Sequence, residues 1–525
     1  MRKEYPRPQF YRKDWLNLNG KWSCDFSKNI KGFSQSKINK KKFTKTINVP
    51  FCPESKLSGI GHTDFIQEMY YQKSFFIPKV WRNKKILLHF GGVDYQSTIF
   101  VNKKKVGSNT GGSTPFTVDI TSSISFDKSN DLKLYVIDKR CPGSLGPTPW
   151  YFGDGTFDNE KLIKKWTLNK KRTQPRGKQS PHQHSWGCFY TRTTGIWQTV
   201  WLEAVDHIHL KNISIQSNLK TSEFVFIPDY SSKSHGNLKI DTFFKNKKIS
   251  SSVISTINKK FSIKIKNPKL WSIGQPNLYD FTFTLLNKNQ SSTHDLVKSY
   301  SGMRSIEIKK NKIYLNNKPL YQRLVLDQGF YPSGIWTAPS DKDLKNDIVL
   351  SMKAGFNGAR LHEKVFEDRF HYWADKLGYI TWAEFPNWGM NENAKASETS
   401  FMYEWPRIVN YLKNHPSIIT WTPFNETNTL ECNAQHKKLM RKAYAITKKI
   451  DPTRPVNETS GYQHQKTDIW TVHHYQPNPE KLKVALNPKK GVYRNFPHFE
   501  TNYNNEPYII DEYGGVWWLP DHLRK

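Results

Sequence analysis

Cysteine, long apolar runs and acidic side chains are all scarce in this sequence of 525 residues. The five cysteines are widely spaced and never form a CxxC pair, which argues against a disulfide framework or a zinc site. No stretch of about 18 apolar residues occurs, and the charged start MRKEYPRPQFYRKDW lacks the apolar segment of a signal peptide. We therefore expect a soluble, cytoplasmic protein without membrane spans.

The deficit of acidic residues leaves a formal charge of +35, from 80 Lys and Arg against 45 Asp and Glu. Such an excess invites a nucleic-acid-binding interpretation. The lysines are scattered, however, through segments such as KINKKKFTK and IKKWTLNKKR, without zinc-finger spacing, a helical basic stripe or an RNA-binding aromatic motif. We therefore predict a solvated basic surface and no nucleic-acid partner.

What the sequence has in abundance is aromatic side chains, at 14% of residues, which is too many for a disordered chain. Residues 1–205 alternate apolar and polar side chains in short segments such as KKILLHFGGV, which predicts a β-sandwich. Residues 206–303 repeat this pattern on a smaller scale and predict an immunoglobulin-like sandwich. From Cys141 to about Tyr190 the pattern is interrupted by a predicted long loop, and one hypothesis is that this loop shapes a subsite at the mouth of the third domain.

Residues 304–525 alternate short apolar runs with helical stretches such as SDKDLKNDIVLSMKAG and EDRFHYWADKLG. This rhythm predicts parallel strands with right-handed crossovers and favours a (β/α)8 barrel. Seven segments read as barrel strands: PLYQRLVL, NGARLH, YITWAE, IITWTPF, PVNETS, IWTVHH and YIIDE. The chain stops soon after the seventh, so we expect a barrel without its eighth strand.

Polar side chains collect at the ends of these strands, where barrel enzymes place their catalytic groups. They are Asp327, Arg360, His362, Glu384, Asn425, Glu426, His473, His474, Tyr475, Asp511 and Glu512. Glu426 follows the fourth strand and Glu512 ends the seventh, so the two carboxylates could flank one bound sugar. Glycosidic cleavage uses such a pair, and a separation of ~5–5.5 Å implies retention of anomeric configuration. The alternative is that both are ordinary rim carboxylates.

Several longer segments carry a family likeness: DWLNLNGKW, GGVDYQSTIFVN, TTGIWQTVWLE and GMRSIEIKKNKIYLNNKPL. Over essentially its whole length the sequence resembles glycoside hydrolase family 2, which contains β-galactosidases, β-glucuronidases and β-mannosidases. The resemblance implies a jelly-roll sugar-binding domain, an immunoglobulin-like sandwich and a TIM barrel. It also implies a retaining exo-β-glycosidase that acts on carbohydrate without a cofactor and forms homo-oligomers.

The resemblance further implies roles for individual residues. NHPSIITWTPFNETN looks like the acid/base signature, which makes Glu426 the acid/base and Asn425 its neighbour that bonds the sugar 2-hydroxyl. YIIDEYGG looks like the nucleophile signature, which makes Glu512 the nucleophile. The other implied substrate-binding residues are Arg360, His362, Glu384, His474, Tyr475 and Trp517.

The sequence also departs from the family pattern. Members often carry a histidine-containing run after the first barrel strand, but this chain reads RLVLDQGFYPSGIW, so Asp327 or Gln328 is expected to contact the sugar instead. Magnesium-binding members have a Glu-His pair after the third strand, whereas Glu384 is followed here by Phe385, and we predict no required metal. The sequence does not identify which sugar is cleaved, and the motifs favour a β-galactosidase type. The runner-up function is a truncated, catalytically impaired carbohydrate-binding relative.

Overall fold

The computed structural model describes residues 2–32, 34–139, 169–180, 183–185, 188–232, 236–257, 259–427, 431–487, 489 and 491–514. Within them, no helix is long and apolar enough to cross a membrane. Two β-sandwiches precede a barrel of parallel strands and helices, as the sequence predicts.

The first sandwich packs a sheet in the order β1-β12-β5-β9 against a sheet in the order β3-β2-β4-β10-β7-β8. Its elements are β1 (Trp15–Asn17), β2 (Gly20–Ser27), α1 (Gln35–Lys40), β3 (Lys45–Val49), β4 (Glu68–Phe75), β5 (Lys85–Phe90), β6 (Val93–Asp94), β7 (Gln96–Val101), β8 (Lys104–Thr110), β9 (Phe116–Asp119), β10 (Asn130–Ile137), β11 (Gly195–Ile196) and β12 (Val200–Val205). Alternating side chains of these strands, such as Trp22, Leu88 and Leu134, form the core between the sheets.

The second sandwich has a three-stranded sheet, β13-β14-β17, and a four-stranded sheet, β16-β15-β20-β21. Its strands are β13 (Leu210–Asn218), β14 (Glu223–Tyr230), β15 (Asn237–Phe244), β16 (Lys247–Ser255), β17 (Phe261–Lys264), β18 (Trp271–Ser272), β19 (Gln275–Pro276), β20 (Tyr279–Leu286) and β21 (Thr293–Ser301). Phenylalanines from both sheets, among them Phe224, Phe226 and Phe281, fill its core. Seven main strands in this arrangement are typical of an immunoglobulin-like sandwich.

The third domain begins with an antiparallel meander and continues as alternating parallel strands and helices. The meander is β22 (Ile306–Lys309), β23 (Lys312–Leu315) and β24 (Lys318–Pro319). The barrel elements are β25 (Leu324–Asp327), α2 (Asp341–Lys353), β26 (Gly358–Leu361), α3 (Asp368–Leu377), β27 (Ile380–Glu384), α4 (Lys395–Leu412), β28 (Ile418–Thr422), α5 (Ala434–Ile450), β29 (Trp470–His474), α6 (Pro479–Ala485) and β30 (Tyr508–Tyr513). Strands β25 to β28 form one parallel sheet, and β29 pairs in parallel with β30.

The predicted barrel strands match this architecture with two differences. The first strand starts at Leu324, because the preceding Lys318–Pro319 pairs antiparallel with the meander instead. The predicted fifth strand, PVNETS, forms only single parallel bridges from Val456 and Ser460 to the segment that begins with β28. The expected lack of an eighth strand stays a prediction, since residues 515–525 lie outside the described part of the chain.

Local sequence signals explain where the barrel helices begin and end. Ser340 caps α2 by accepting a hydrogen bond from the Asp343 N–H, and Asn433 caps α5 in the same way. Gly378 ends α3 in the left-handed conformation, with φ 69°, which a glycine adopts without steric cost. Strands β27 and β28 are buried along their whole length because helices cover them. Since the strands are parallel, their carboxyl ends, with the polar residues that follow, lie at the same edge of the sheet.

Candidate active site

A single buried arginine joins the ends of four barrel segments. Arg360, near the end of β26, donates from Nε to Glu384 Oε2 at 2.7 Å, from Nη1 to Glu512 Oε1 at 2.6 Å and from Nη2 to Asn425 Oδ1 at 2.6 Å. The side chain is only 2% exposed. The guanidinium fork therefore brings together Arg360, Glu384, Asn425 and Glu512, residues that lie up to 152 positions apart in the sequence.

The carboxylate of Glu512 is bonded on both oxygens. Arg360 donates to Oε1, and the Tyr475 hydroxyl donates to Oε2. Burial by itself would raise the pKa of the Glu512 carboxyl, but the charges of His473 and Arg360 outweigh it and hold that pKa well below its usual value. Glu512 is thus kept ionised, which is the state that a nucleophile requires.

Glu426 lies across the mouth from this carboxylate, in a loop that follows β28. Its backbone takes the left-handed φ of 39°, and its N–H donates to the carbonyl of Ser460 at 3.1 Å. Its Oε1 lies 2.6 Å from His473 Nδ1, and its side chain is partly exposed. A carboxylate oxygen of Glu426, a ring nitrogen of His473 and a carboxylate oxygen of Glu512 all lie within 4.8 Å of one another.

The imidazole of His473 connects the two carboxylates electrostatically. Burial opposes its charge, but Glu512, Asp511 and Glu426 raise the pKa of His473 to about 10. The ring is therefore protonated at neutral pH, and its two N–H groups face Glu426 on one side and Ser460 and Asp511 on the other. The atoms from Glu426, His473 and Glu512 lie at a distance at which they could surround a metal ion, but a protonated imidazole has no nitrogen lone pair to bind one. The expected absence of a required metal stays a prediction.

The structure separates the two consecutive histidines at the end of β29. Consecutive side chains of a strand point to opposite faces, and the pairing of β29 with β30 also shifts register here because β30 has one extra residue, Asp511. His473 consequently faces Glu426, whereas His474 packs its ring against Tyr493 at 4.8 Å. The sequence-based substrate-binding set names His474, but the position beside the carboxylates is that of His473.

Two further predicted residues differ in their relation to the cluster. His362 Nδ1 accepts from Arg360 Nη2 at 2.9 Å, and burial together with the nearby Lys178 charge lowers the His362 pKa. Asp327, at the end of β25, accepts from the Gly329 N–H at 2.8 Å, and burial raises its pKa to about 6. Among the described contacts none joins Asp327 to Arg360. Trp517 lies outside the described residues.

Residues that sequence reasoning left out also surround the cluster. Glu363 is buried beside Glu384, and burial and the Glu384 charge raise the Glu363 pKa well above its usual value. Asn387 accepts from the Asn425 N–H at 2.7 Å and so orients that residue. Lys178, from the predicted long loop of the first domain, lies over the ring of Trp388 at 3.9 Å. Its segment reaches the barrel mouth, as hypothesised; residues 140–168 of the loop lie outside the described residues.

Comparison with known proteins places the chain in a family. Residues 20–145 match "Glycosyl hydrolases family 2, sugar binding domain", residues 209–304 match "Glycosyl hydrolases family 2", and residues 306–517 match "Glycosyl hydrolases family 2, TIM barrel domain". These three matches follow the order of the two sandwiches and the barrel. They cover most of the chain and leave the predicted long loop largely between them.

Individual relatives have only low sequence identity to this chain. A protein of Formosa agariphila is 26% identical over 94% of this chain and 57% of its own length. The beta-galactosidase of Thermoanaerobacter pseudethanolicus is 25% identical over 87% of this chain and 56% of its own length. The chain thus spans a little over half the length of these relatives.

Solved structures agree on the fold. The beta-glucuronidase of Ruminococcus gnavus in complex with D-glucuronic acid superposes with a TM-score of 0.75 at 18% identity, over 97% of this chain and 85% of that one. A beta-D-glucuronidase structure from Dictyoglomus thermophilum gives a TM-score of 0.74 at 19% identity, over 97% of this chain and 84% of that one. With all three of its domains matched in order, this chain belongs to glycoside hydrolase family 2.

Proposed function

We propose that this protein is a retaining exo-β-glycosidase in which Glu512 is the nucleophile and Glu426 the acid/base. The observation that carries the proposal is the facing pair itself, with oxygens of Glu426 and Glu512 within 4.8 Å of each other. Retaining enzymes hold their carboxyl groups ~5–5.5 Å apart, whereas inverting enzymes need ~6.5–9.5 Å to admit a water. The short separation supports direct attack on the sugar.

The first step forms a covalent intermediate. Glu512, ionised and held by Arg360 and Tyr475, attacks the anomeric carbon. The bond from that carbon to the leaving oxygen breaks, and Glu426 delivers a proton to this oxygen. The Glu426 O–H bond breaks as this proton is transferred, which leaves Glu426 ionised. Asn425, fixed by Arg360 and Asn387, is placed to bond a sugar hydroxyl during this step.

The second step releases the sugar. Glu426, now ionised, removes a proton from a water molecule, and the water oxygen attacks the anomeric carbon. The bond to Glu512 breaks and its carboxylate is restored. Two displacements at one carbon leave the sugar with its original β configuration, which is the property that an experiment can read directly.

The substrate class is a terminal β-linked sugar. Support comes from the names of the relatives, which include a beta-galactosidase at 25% identity and the beta-glucuronidase of Streptococcus agalactiae at 23% identity over 86% of this chain. The two sugars differ at the C4 hydroxyl and the C6 group. A panel of p-nitrophenyl β-glycosides that includes both therefore tests the activity and the sugar together.

The decisive comparison is between the parent protein and Glu512→Gln, a variant of nearly the same shape that lacks the attacking charge. We expect the parent to hydrolyse at least one glycoside, with the β-anomer as the first product seen by proton NMR, and the variant to lose at least ~10³-fold in kcat/KM. A 2-fluoro glycoside should add its sugar mass to the peptide that contains Glu512. Folded parent protein that hydrolyses no glycoside, or an α-anomer as first product, would refute the proposal.

A further inference from the structure

A short segment of the first domain is clamped onto the barrel mouth by its backbone. The Arg176 N–H donates to the Trp388 carbonyl at 2.7 Å, and the Gly177 N–H donates to the same carbonyl at 3.1 Å. Gly177 has φ +56°, and a Cβ at this position would lie 2.2 Å from the Glu363 carbonyl oxygen. Only glycine fits so close an approach, so the segment holds the next residue, Lys178, in a defined place.

The Lys178 side chain points into the wall of the candidate active site. It is 7% exposed, and its Nζ lies 3.9 Å from the centre of the Trp388 ring, a cation–π contact. The Trp388 ring in turn lies 6.3 Å from the ring of His362, and the Trp388 N–H donates to Glu363. One buried ammonium from the first domain therefore lies directly behind residues that line the mouth of the barrel.

The other cations of the site are already occupied by protein groups. Arg360 is bonded to Glu384, Glu512 and Asn425, and His473 faces Glu426. By contrast, neither a hydrogen-bond acceptor nor an ion-pair partner for Lys178 Nζ occurs among the residues that the structure describes. The ammonium can therefore donate to an oxyanion brought by a ligand, and charge-assisted hydrogen bonds of this kind are strong.

The charge of Lys178 also acts on His362 and Glu512. After burial, it is the largest influence that lowers the pKa of His362, and it helps to hold the Glu512 pKa low. The nearby carboxyl of Glu363 has its pKa raised well above the usual value by burial and by the Glu384 charge.

We propose that Lys178 binds an acidic group, a carboxylate or a sulfate ester, of the saccharide held at the barrel mouth, and that through it the first domain determines substrate specificity. The inference rests on the proposed glycosidase function and names its substrate class. An ammonium forms strong charge-assisted hydrogen bonds with oxyanions of either kind. A neutral sugar hydroxyl in the same place would leave the charge uncompensated.

The test compares substrates that differ in one group. The probes are p-nitrophenyl β-D-glucuronide, its β-D-glucoside and the 6-sulfated glucoside. In Lys178→Met, which keeps the aliphatic contact with Trp388, we expect kcat/KM to fall about 10- to 100-fold on the acidic glycosides and less than about 3-fold on the neutral one. Lys178→Arg, which keeps the charge, should restore part of the selectivity. The acidic probe that shows the dependence identifies the group.

The matched control is Lys171→Met, an exposed lysine of the same segment, which should leave all three rates unchanged. An equal loss on acidic and neutral glycosides in Lys178→Met would show a structural role and overturn the proposal. So would no loss at all.

A binding measurement separates this inference from the proposed function. In the Glu512→Gln background, calorimetric affinities for the same glycosides need no turnover. Loss of acidic-glycoside binding on adding Lys178→Met supports the inference even if the parent protein hydrolyses nothing. Affinity that is unaffected by the substitution, or absence of acidic-glycoside binding altogether, overturns it.

Discussion

Replacing Arg360 by lysine isolates the geometry of the guanidinium from its charge. Arg360 makes three hydrogen bonds of 2.6–2.7 Å, to Glu384, Glu512 and Asn425. A lysine ammonium keeps the positive charge but places all its donors on one atom, so it cannot reach three acceptors on three barrel segments. We expect the ammonium to keep one of these hydrogen bonds and to leave the other two acceptors without one.

The magnitude follows from the two hydrogen bonds that lysine cannot make. A hydrogen bond to a charged group contributes about 1.5–3 kcal/mol, so two of them correspond to about 3–6 kcal/mol, or ~10²–10⁴-fold in kcat/KM if both hold the reacting geometry. The pH profile should change as well. The charges of Arg360 and His473 keep the Glu512 pKa low although burial would raise it. A weaker contact between the introduced lysine and Glu512 should therefore move the acidic limb of the kcat/KM profile to higher pH.

The assay is kcat/KM against pH on a glycoside with a good leaving group, for which proton donation by Glu426 matters least. The matched control is Arg369→Lys, because Arg369 makes a two-pronged contact with Asp341 away from the site, at 2.7 and 2.6 Å. This variant should keep its activity within about 3-fold. Arg360→Lys protein with parental kcat/KM and an unmoved acidic limb would refute the argument that the fork organises the site.

Two further predictions concern single polar groups. Tyr475→Phe removes the hydroxyl that donates to Glu512, so kcat/KM should fall about 10- to 100-fold with an unchanged melting temperature; parental activity would contradict this role. Glu404→Gln tests a carboxyl that α4 buries against Thr114, where burial raises the Glu404 pKa from 4.5 to about 7. The folded state therefore binds this proton more tightly than the unfolded state, and stability falls as pH rises from 4.5 to 7. Between about pH 5 and about pH 8, the free energy of unfolding in urea should fall by roughly 3 kcal/mol more for the parent than for the variant. An equal fall in both proteins would contradict this role of Glu404.

Much of the fold is legible in the sequence because its signals are local. Runs such as IITWT and WTVHH are strands in the structure, and the helix of residues 341–353 begins after the capping Ser340. The differences arise where a local pattern competes with tertiary pairing. The predicted strand PVNETS forms only isolated bridges, and Pro319 pairs with Tyr314 of the meander before the first barrel strand begins.

The candidate site follows the same division. Glu426 and Glu512 could be singled out because they are carboxylates at strand ends, where barrel enzymes place catalytic groups, and because their segments resemble the family's signatures. The choice between His473 and His474 could not be made in that way, since their side chains alternate in direction along β29 and only the packed barrel shows which one faces Glu426. Lys178 carries no local signal either: it comes from a loop of another domain, its Nζ lies over the Trp388 ring, and the preceding Gly177 is hydrogen-bonded to the Trp388 backbone.

The sequence alone therefore determined the order of sandwiches and barrel, the strand ends and the two glutamates, because periodicity and residue type are properties of neighbouring positions. Only the tertiary structure decided that Arg360 joins Glu384 to Glu512, that His473 lies beside Glu426, and that Lys178 enters the site. These are contacts between segments far apart in the chain. Their geometry depends on how the strands pair and how the domains pack, which no short stretch of residues encodes.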